Sequence, residues 1–120
     1  MRSTIIGTGS YLPKKIVTND DLSKFLDTSD EWIRTRTGIR SRHCADFKNS
    51  ETCSFMAISA AKRALEMANV EASSLDLIVV ATVTPDFRLP TVGCLVQEGL
   101  GAKNVPAFDI KLLALVLSMV

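Results

Sequence analysis

The apolar positions of this chain change period along its length, and the changes mark out its elements. Leu77 to Thr82, LIVVAT, is continuously apolar and rich in β-branched residues, the pattern of a strand covered on both faces. Ala107 to Ile110 predicts a second strand, Ser3 to Gly7 a short one closed by Gly7 and Gly9, and Ile39 to His43 a further one. Between them, Glu51 to Met67 predicts a helix, because Met56, Ala57, Ala60, Ala61, Ala64, Leu65 and Ala68 recur on one side at helical spacing. Its alanines suit close packing on a sheet. Thr91 to Leu100 predicts another helix, with Pro90 before it and Gly101 after it. Asp20 and Asp21, following Thr18 and Asn19, mark a helix start where negative charge complements the dipole. Strands alternating with helices, with no repeat, low-complexity tract or linker, predict an α/β layered fold in one domain.

The segment Asp27 to Arg40, DTSDEWIRTRTGIR, carries the candidate chemistry. Thr28 followed by Glu31 reads as a capping box, which predicts a helix from Ser29. Gly38 supplies a left-handed stop. On this short helix Trp32 and Arg36 share a face, and Arg34, Arg40 and Arg42 add positive charge nearby. A flat indole beside a guanidinium suits a flat, phosphorylated ligand such as a nucleotide, since guanidinium groups bind phosphate in bidentate fashion. A plainer reading stands beside it, in which Trp32 is a half-buried packing residue and the arginines form a solvated face.

Composition removes several function classes. The formal net charge is +1 and the basic bias is local to Arg34 through Arg42, so nothing global points to nucleic acid or an anionic membrane surface. Cys44, Cys53 and Cys94 have no metal-ligand spacing and no CxxC pair; they read as reduced, mostly buried thiols, with Cys94 packed inside its helix, and no metal is expected. The opening run is too short and too polar for a signal peptide, and LLALVLSMV falls short of the roughly 20 residues that a membrane helix needs, so a cytoplasmic chain is expected. Gly7-Thr8-Gly9 is an incomplete dinucleotide fingerprint, with Leu12 at the third glycine position and Pro13 preventing a helix there. His43 adjoins Cys44, but neighbours on a strand point to opposite faces, so a structural role is expected for it.

Four strings, IIGTGSYLP, DTSDEWIRTRTGIR, LIVVATVTPD and PAFDI, occur in an order and spacing that resemble the amino-terminal part of the 3-oxoacyl-acyl-carrier-protein synthase III family. The resemblance runs from about Ser3 to Ile110 and stops at Lys111. It implies a thiolase-like fold, of which residues 1–110 would be the amino-terminal part of the first α/β half. It also implies the initiating condensation of type II fatty acid synthesis, in which acyl-CoA and malonyl-acyl carrier protein give 3-oxoacyl-acyl carrier protein, carbon dioxide and coenzyme A. No cofactor is implied beyond the coenzyme A thioester itself, and the family's enzymes are homodimers. Thr28, Trp32 and Arg36 match the family's coenzyme A site, where the tryptophan stacks on adenine. Leu89 stands where an aromatic that walls the partner's acyl pocket is usual, which points to a roomier pocket and a branched primer. Ala114 occupies the place of the nucleophilic cysteine, and neither the family's catalytic histidine nor its asparagine is reached, so the 120-residue chain is expected to be inactive. The alternative is a non-catalytic short form that binds coenzyme A or forms dimers.

Residues 111–120, KLLALVLSMV, read as an aberrant tail caused by loss of one base. They can be encoded as AAG CTG CTT GCT CTG GTT TTG TCT ATG GT followed by any base. From the third base the same string reads Ala-Ala-Cys-Ser-Gly-Phe-Val-Tyr-Gly, which resembles the family's nucleophile motif and puts its cysteine at position 114.

Overall fold

The structure, a computed structural model, describes residues 2–111, which fall into two compact units: residues 12–51, and residues 2–11 together with 52–111. Of the tail expected over residues 111–120, all but Lys111, and so Ala114 too, lies outside the described residues.

The unit of residues 12–51 holds β1 (Lys15–Thr18), α1 (Asn19–Ser23), α2 (Asp30–Thr37) and β2 (Ser41–Cys44). The two strands pair antiparallel, with Ile16 opposite His43 and Thr18 opposite Ser41. β2 covers the later part of the Ile39–His43 prediction, while β1 carries only two apolar residues in KIVT and left no period to read. Thr18 caps α1 in a complete capping box: its hydroxyl accepts from the Asp21 amide at 3.1 Å, and the Asp21 carboxylate accepts from the Thr18 amide at 3.1 Å.

The centre of this unit is Asn19, which is 1% exposed. Its amide nitrogen donates to Asp30 Oδ1 and to the Ile39 carbonyl, both at 2.8 Å, and its oxygen accepts from Arg42 Nη2 at 2.7 Å. Arg42 also donates to the Val17 carbonyl at 3.2 Å. One buried side chain therefore uses both donors and its acceptor to tie the start of α1 to the start of α2 and to β2, and leaves no polar atom of its own unpaired.

The other unit holds α3 (Cys53–Ala68), β3 (Ile78–Ala81), α4 (Val92–Leu100) and β4 (Ala107–Ile110). β3 and β4 pair parallel, Ile78 with Ala107 through Ala81 with Ile110. The core is Ile78, Val92, Val96, Ala102 and Val105, with Ala57, Ile58, Val80, Leu100 and Ala107 packed against it. Both long helices begin slightly later than expected, at Cys53 and Val92, because Thr52 and Thr91 are extended caps that accept from the Phe55 and Cys94 amides, and both end in left-handed residues, Asn69 and Gly101. Carboxylates distant in sequence complete the caps. Asp86 accepts from the Ser54 amide at 3.1 and 3.2 Å, and Asp109 of β4 accepts from the Val92 amide at 3.0 Å and the Gly93 amide at 2.7 Å. The close approach there is eased by glycine, because a Cβ on Gly93 would stand 3.0 Å from the Phe108 nitrogen and 3.1 Å from Asp109 Oδ1.

Ser3 to Gly7 is not a strand among the described residues. The run has β-strand composition but no strand beside it, so no ladder forms. It is held against α3 by Gly7 and Gly9, where a Cβ would collide with the carbonyl oxygens of Ala64 and Ala60. Arg63 fixes the end of the segment by donating to the Ser10 carbonyl at 2.6 Å. Nor is LIVVAT covered on both faces: Val79 is 45% exposed.

That open face generates a stability prediction. The 120 residues alone should bind a hydrophobic dye and melt without a sharp transition, measured by dye fluorescence and near-ultraviolet circular dichroism. A sharp, cooperative melt of a dye-silent monomer would refute it. A second prediction concerns pH. The hydrogen bond from Lys24, followed by those from Thr18, holds the Asp21 carboxyl well below the usual carboxylate range. A depressed pKa contributes stability that is present above the unfolded value and lost as pH falls through the folded one. The Thr18 amide resonance should therefore stay constant through neutral pH and shift only below the ordinary carboxylate range, and Asp21→Asn should abolish that titration.

Candidate functional site

α2 is built by its own ends. Ser29, rather than Thr28, is the cap: its hydroxyl accepts from the Trp32 amide at 3.1 Å, and the helix runs from Asp30. The capping box read from Thr28 and Glu31 does not form; a single cap lies one residue later, because Ser29 adopts the extended conformation with φ −141° and ψ 161° that points its oxygen at the first turn. The Thr28 hydroxyl is buried and has no hydrogen-bond partner. Gly38 stops the helix at φ 73°, its amide bonding to the Arg34 carbonyl at 2.9 Å.

The helix presents Trp32 at its surface, 53% exposed, with the Arg36 guanidinium carbon 4.4 Å from the indole centroid. No residue of α2 is buried, so the indole is a surface group whose neighbour is a cation rather than a core. The guanidinium covers one face of the ring, and the pair forms a flat, cationic, apolar platform whose remaining indole face can take a further planar group. The other arginines divide. Arg34 pairs with Asp30 at 3.2 Å along the helix, and Arg42 is turned inward to Asn19 and Val17. Arg42 is therefore spent on structure and is not a phosphate ligand, whereas Arg36 and Arg40 remain at the surface.

Asn19 is the residue that sequence reading missed. It places Asp30, and with it the first turn of α2, through contacts spanning gaps that leave no trace in a local pattern.

Leu89 belongs to the other unit, in the loop between β3 and α4, and is 81% exposed. Asp86, midway along that loop, accepts from the Ser54 amide, and Asp109 caps the helix that follows it, so Leu89 lies between two fixed points. His43 and Cys44 face opposite ways, the ring Nδ1 donating to the Pro13 carbonyl at 2.5 Å, which makes no dyad. Cys94 is exposed rather than packed, because the apolar face of α4 is used by Val92 and Val96 and the cysteine falls on the other side. Cys44 and Cys53 are partly buried. Among the described residues no cluster of His, Cys, Asp or Glu could hold a metal ion, and no helix is long and apolar enough to cross a membrane.

Comparison with known proteins places this arrangement. No protein-family model matches the chain. A beta-ketoacyl-acyl-carrier-protein synthase III of Caldanaerobacter subterraneus subsp. tengcongensis is 59% identical over 106 residues, covering 88% of this chain and 31% of that protein. The corresponding protein of Aquifex aeolicus is 56% identical over 110 residues, covering 92% of this chain and 35% of its own length. The crystal structure of the A. aeolicus 3-oxoacyl-acyl-carrier-protein synthase III superposes with a TM-score of 0.84 at 57% identity, over 88% of this chain and 33% of that one. A priming beta-ketosynthase of a polyketide biosynthetic pathway superposes with a TM-score of 0.83 at 40% identity, over 88% and 31%. An α/β chain with this parallel pair and these helices has the thiolase-like fold. Within that fold the chain is similar to ketoacyl synthases III over most of its own length, and it spans about a third of the length of the curated relatives it matches.

The two neighbouring hydroxyls of α2 make opposite predictions. Ser29→Ala removes a cap, at about 1 kcal/mol, and should speed hydrogen exchange of the Trp32 amide roughly fivefold. Thr28→Val removes a buried hydroxyl that has no partner and should leave that exchange unchanged or slower. Equal effects of the two substitutions, read by amide exchange, would return the cap to Thr28.

Proposed function

We propose that this chain descends from the initiating condensing enzyme of type II fatty acid synthesis, and that the Trp32–Arg36 platform is its coenzyme A site. The observation that carries the reading is the 4.4 Å guanidinium–indole stack, exposed on a capped helix, in a chain more than half identical to synthases III. In the reaction, an acyl group passes from acyl-CoA to a cysteine thiolate and coenzyme A leaves as the thiol. Malonyl-acyl carrier protein then loses carbon dioxide, and its carbanion attacks the acyl-enzyme to give 3-oxoacyl-acyl carrier protein. The indole face would take the adenine, and Arg36, fixed against the ring, would supply positive charge to the phosphates beside it. Thr28 stands just ahead of the cap, as the third member of the site. Leu89, in place of an aromatic, would leave room for a branched acyl group. A homodimer in the cytoplasm, with malonyl-acyl carrier protein as second substrate, completes the reading.

The 120 residues by themselves would not condense anything. Position 114 is alanine, which offers no thiolate, and the single histidine, His43, is held by the Pro13 carbonyl. The division we propose is a ketoacyl synthase III part over residues 1–110 and an out-of-frame tail over 111–120. A second reading, a short form that binds coenzyme A without catalysis, is favoured by the fact that α2, its cap and its aromatic–cation pair are complete within residues 12–51.

Determining the codons for residues 111–120 separates the two. Codons that spell Ala-Ala-Cys-Ser-Gly in the shifted frame are expected, and any other sequence favours the short form. Base-on-aromatic stacking is worth about 1 to 3 kcal/mol, so Trp32→Ala should weaken coenzyme A binding by at least several-fold in calorimetric titration. Arg36→Ala should act in the same direction, and the loss should shrink as salt is added. Unchanged affinity in both variants would overturn the site.

A further inference from the structure

α2 is anchored by a residue that is not part of it. No residue of the helix is buried, so packing by itself does not fix its rotation or inclination. Its eight residues make a rod about 12 Å long, too short to persist by propensity. One nitrogen fastens both ends. Asn19 Nδ2 donates to Asp30 Oδ1, on the first residue of α2, and to the carbonyl of Ile39, the residue after the Gly38 stop, both at 2.8 Å. Residues 30–39 are thereby gathered into a ring whose clasp is a single amide group.

The clasp has its own support. Asn19 is 1% exposed and opens α1 behind the Thr18 capping box. Its oxygen accepts from Arg42 Nη2 at 2.7 Å, and Arg42 donates on to the Val17 carbonyl at 3.2 Å, so β1 and β2 stand behind it. Asp30 carries the line outward, since its Oδ2 accepts from Arg34 Nη1 at 3.2 Å. Arg34 is thus held at the foot of the helix, and it is Arg36 that lies over the Trp32 indole, 4.4 Å from its centroid. Only an amide serves all these partners. A carboxylate at position 19 would still accept from Arg42 but would face two acceptors, the Asp30 carboxylate and the Ile39 carbonyl, and an aliphatic residue would bond none of the three.

We infer that Asn19 is a positioning residue for coenzyme A binding. It lies too deep to touch a ligand, and it sets, through Asp30 and Ile39, where α2 presents Trp32 and Arg36. The inference rests on the coenzyme A site proposed above. Chains in which the clasp is open present no seated platform, so the apparent affinity falls with the seated fraction.

The test uses the full 120-residue chain with coenzyme A, and reads the two ends of α2 separately from the strands. The Ile33 amide donates to the Ser29 carbonyl at 3.1 Å and the Gly38 amide to the Arg34 carbonyl at 2.9 Å, so the hydrogen exchange of each reports one end. Asn19→Asp keeps the size and the acceptor for Arg42 but turns the donating nitrogen into an oxygen. It should speed exchange at both amides about tenfold and weaken coenzyme A binding about tenfold, while the amides of β1 and β2 keep their rates. Adding Asp30→Asn gives position 30 a donor for the new carboxylate. The double variant should recover the Ile33 rate but not the Gly38 rate, and part of the affinity. The inference is overturned by unchanged exchange in Asn19→Asp, by acceleration at Ile33 alone, by equal acceleration throughout β1 and β2, or by a double variant no better than the single one. It is overturned too if both helix ends are freed and the affinity holds in a chain whose affinity falls with Trp32→Ala. No binding by the unsubstituted chain, or an affinity that ignores Trp32→Ala, defeats the coenzyme A site and the inference with it, whereas the earlier outcomes defeat the role of Asn19 alone.

Discussion

Parallel strands are stable chiefly when their apolar faces are covered, and residues 2–11 and 52–111 are arranged around covering one face of β3–β4. α3 and α4 supply one cover, and the small residues of both helices let the layers approach: alanines on α3, Gly93 where α4 meets β4. The burial this achieves is narrow. The enclosed core among the described residues is five side chains, Ile78, Val92, Val96, Ala102 and Val105.

Polar contacts between distant residues fix the geometry that burial alone would leave loose. Asp109 closes the amino terminus of α4 from the neighbouring strand, and Asp86 does the same for α3 from a loop. Each carboxylate sits where the exposed amides and the helix dipole favour negative charge. In the other unit Asn19 plays the corresponding part without charge, joining two helices and a strand with three hydrogen bonds. These contacts set which way each helix faces. The loop that ends in Leu89 and the helix that carries Trp32 inherit their positions from them.

The platform on α2 gains from this arrangement. An eight-residue helix is too short to persist by propensity alone, and it has no buried residue of its own. Its Ser29 cap, its Gly38 stop and the Asn19–Asp30 bond hold it in place. With the helix fixed, Trp32 and Arg36 are held on one face, the guanidinium carbon 4.4 Å from the indole centroid.

The sequence by itself determined the elements whose signals are local. The apolar period of Glu51 to Met67, the β-branched run ending at Ala81, the strand Ala107 to Ile110 and the glycine stops at Gly38 and Gly101 all follow from residues within a few positions of one another. So does the pairing of Trp32 with Arg36, because helical spacing alone puts them on one face. What only the tertiary structure decided depends on partners far along the chain. Ser3 to Gly7 has the composition of a strand but no neighbour to bond, and β1 has a neighbour although its composition is weak. Arg42 has the charge of a phosphate ligand, yet Asn19 turns it inward, and Cys94 lies in an apolar run but on the face of α4 that the core does not use. Local pattern specifies what a segment can form; which groups it meets is fixed by contacts that the pattern does not encode.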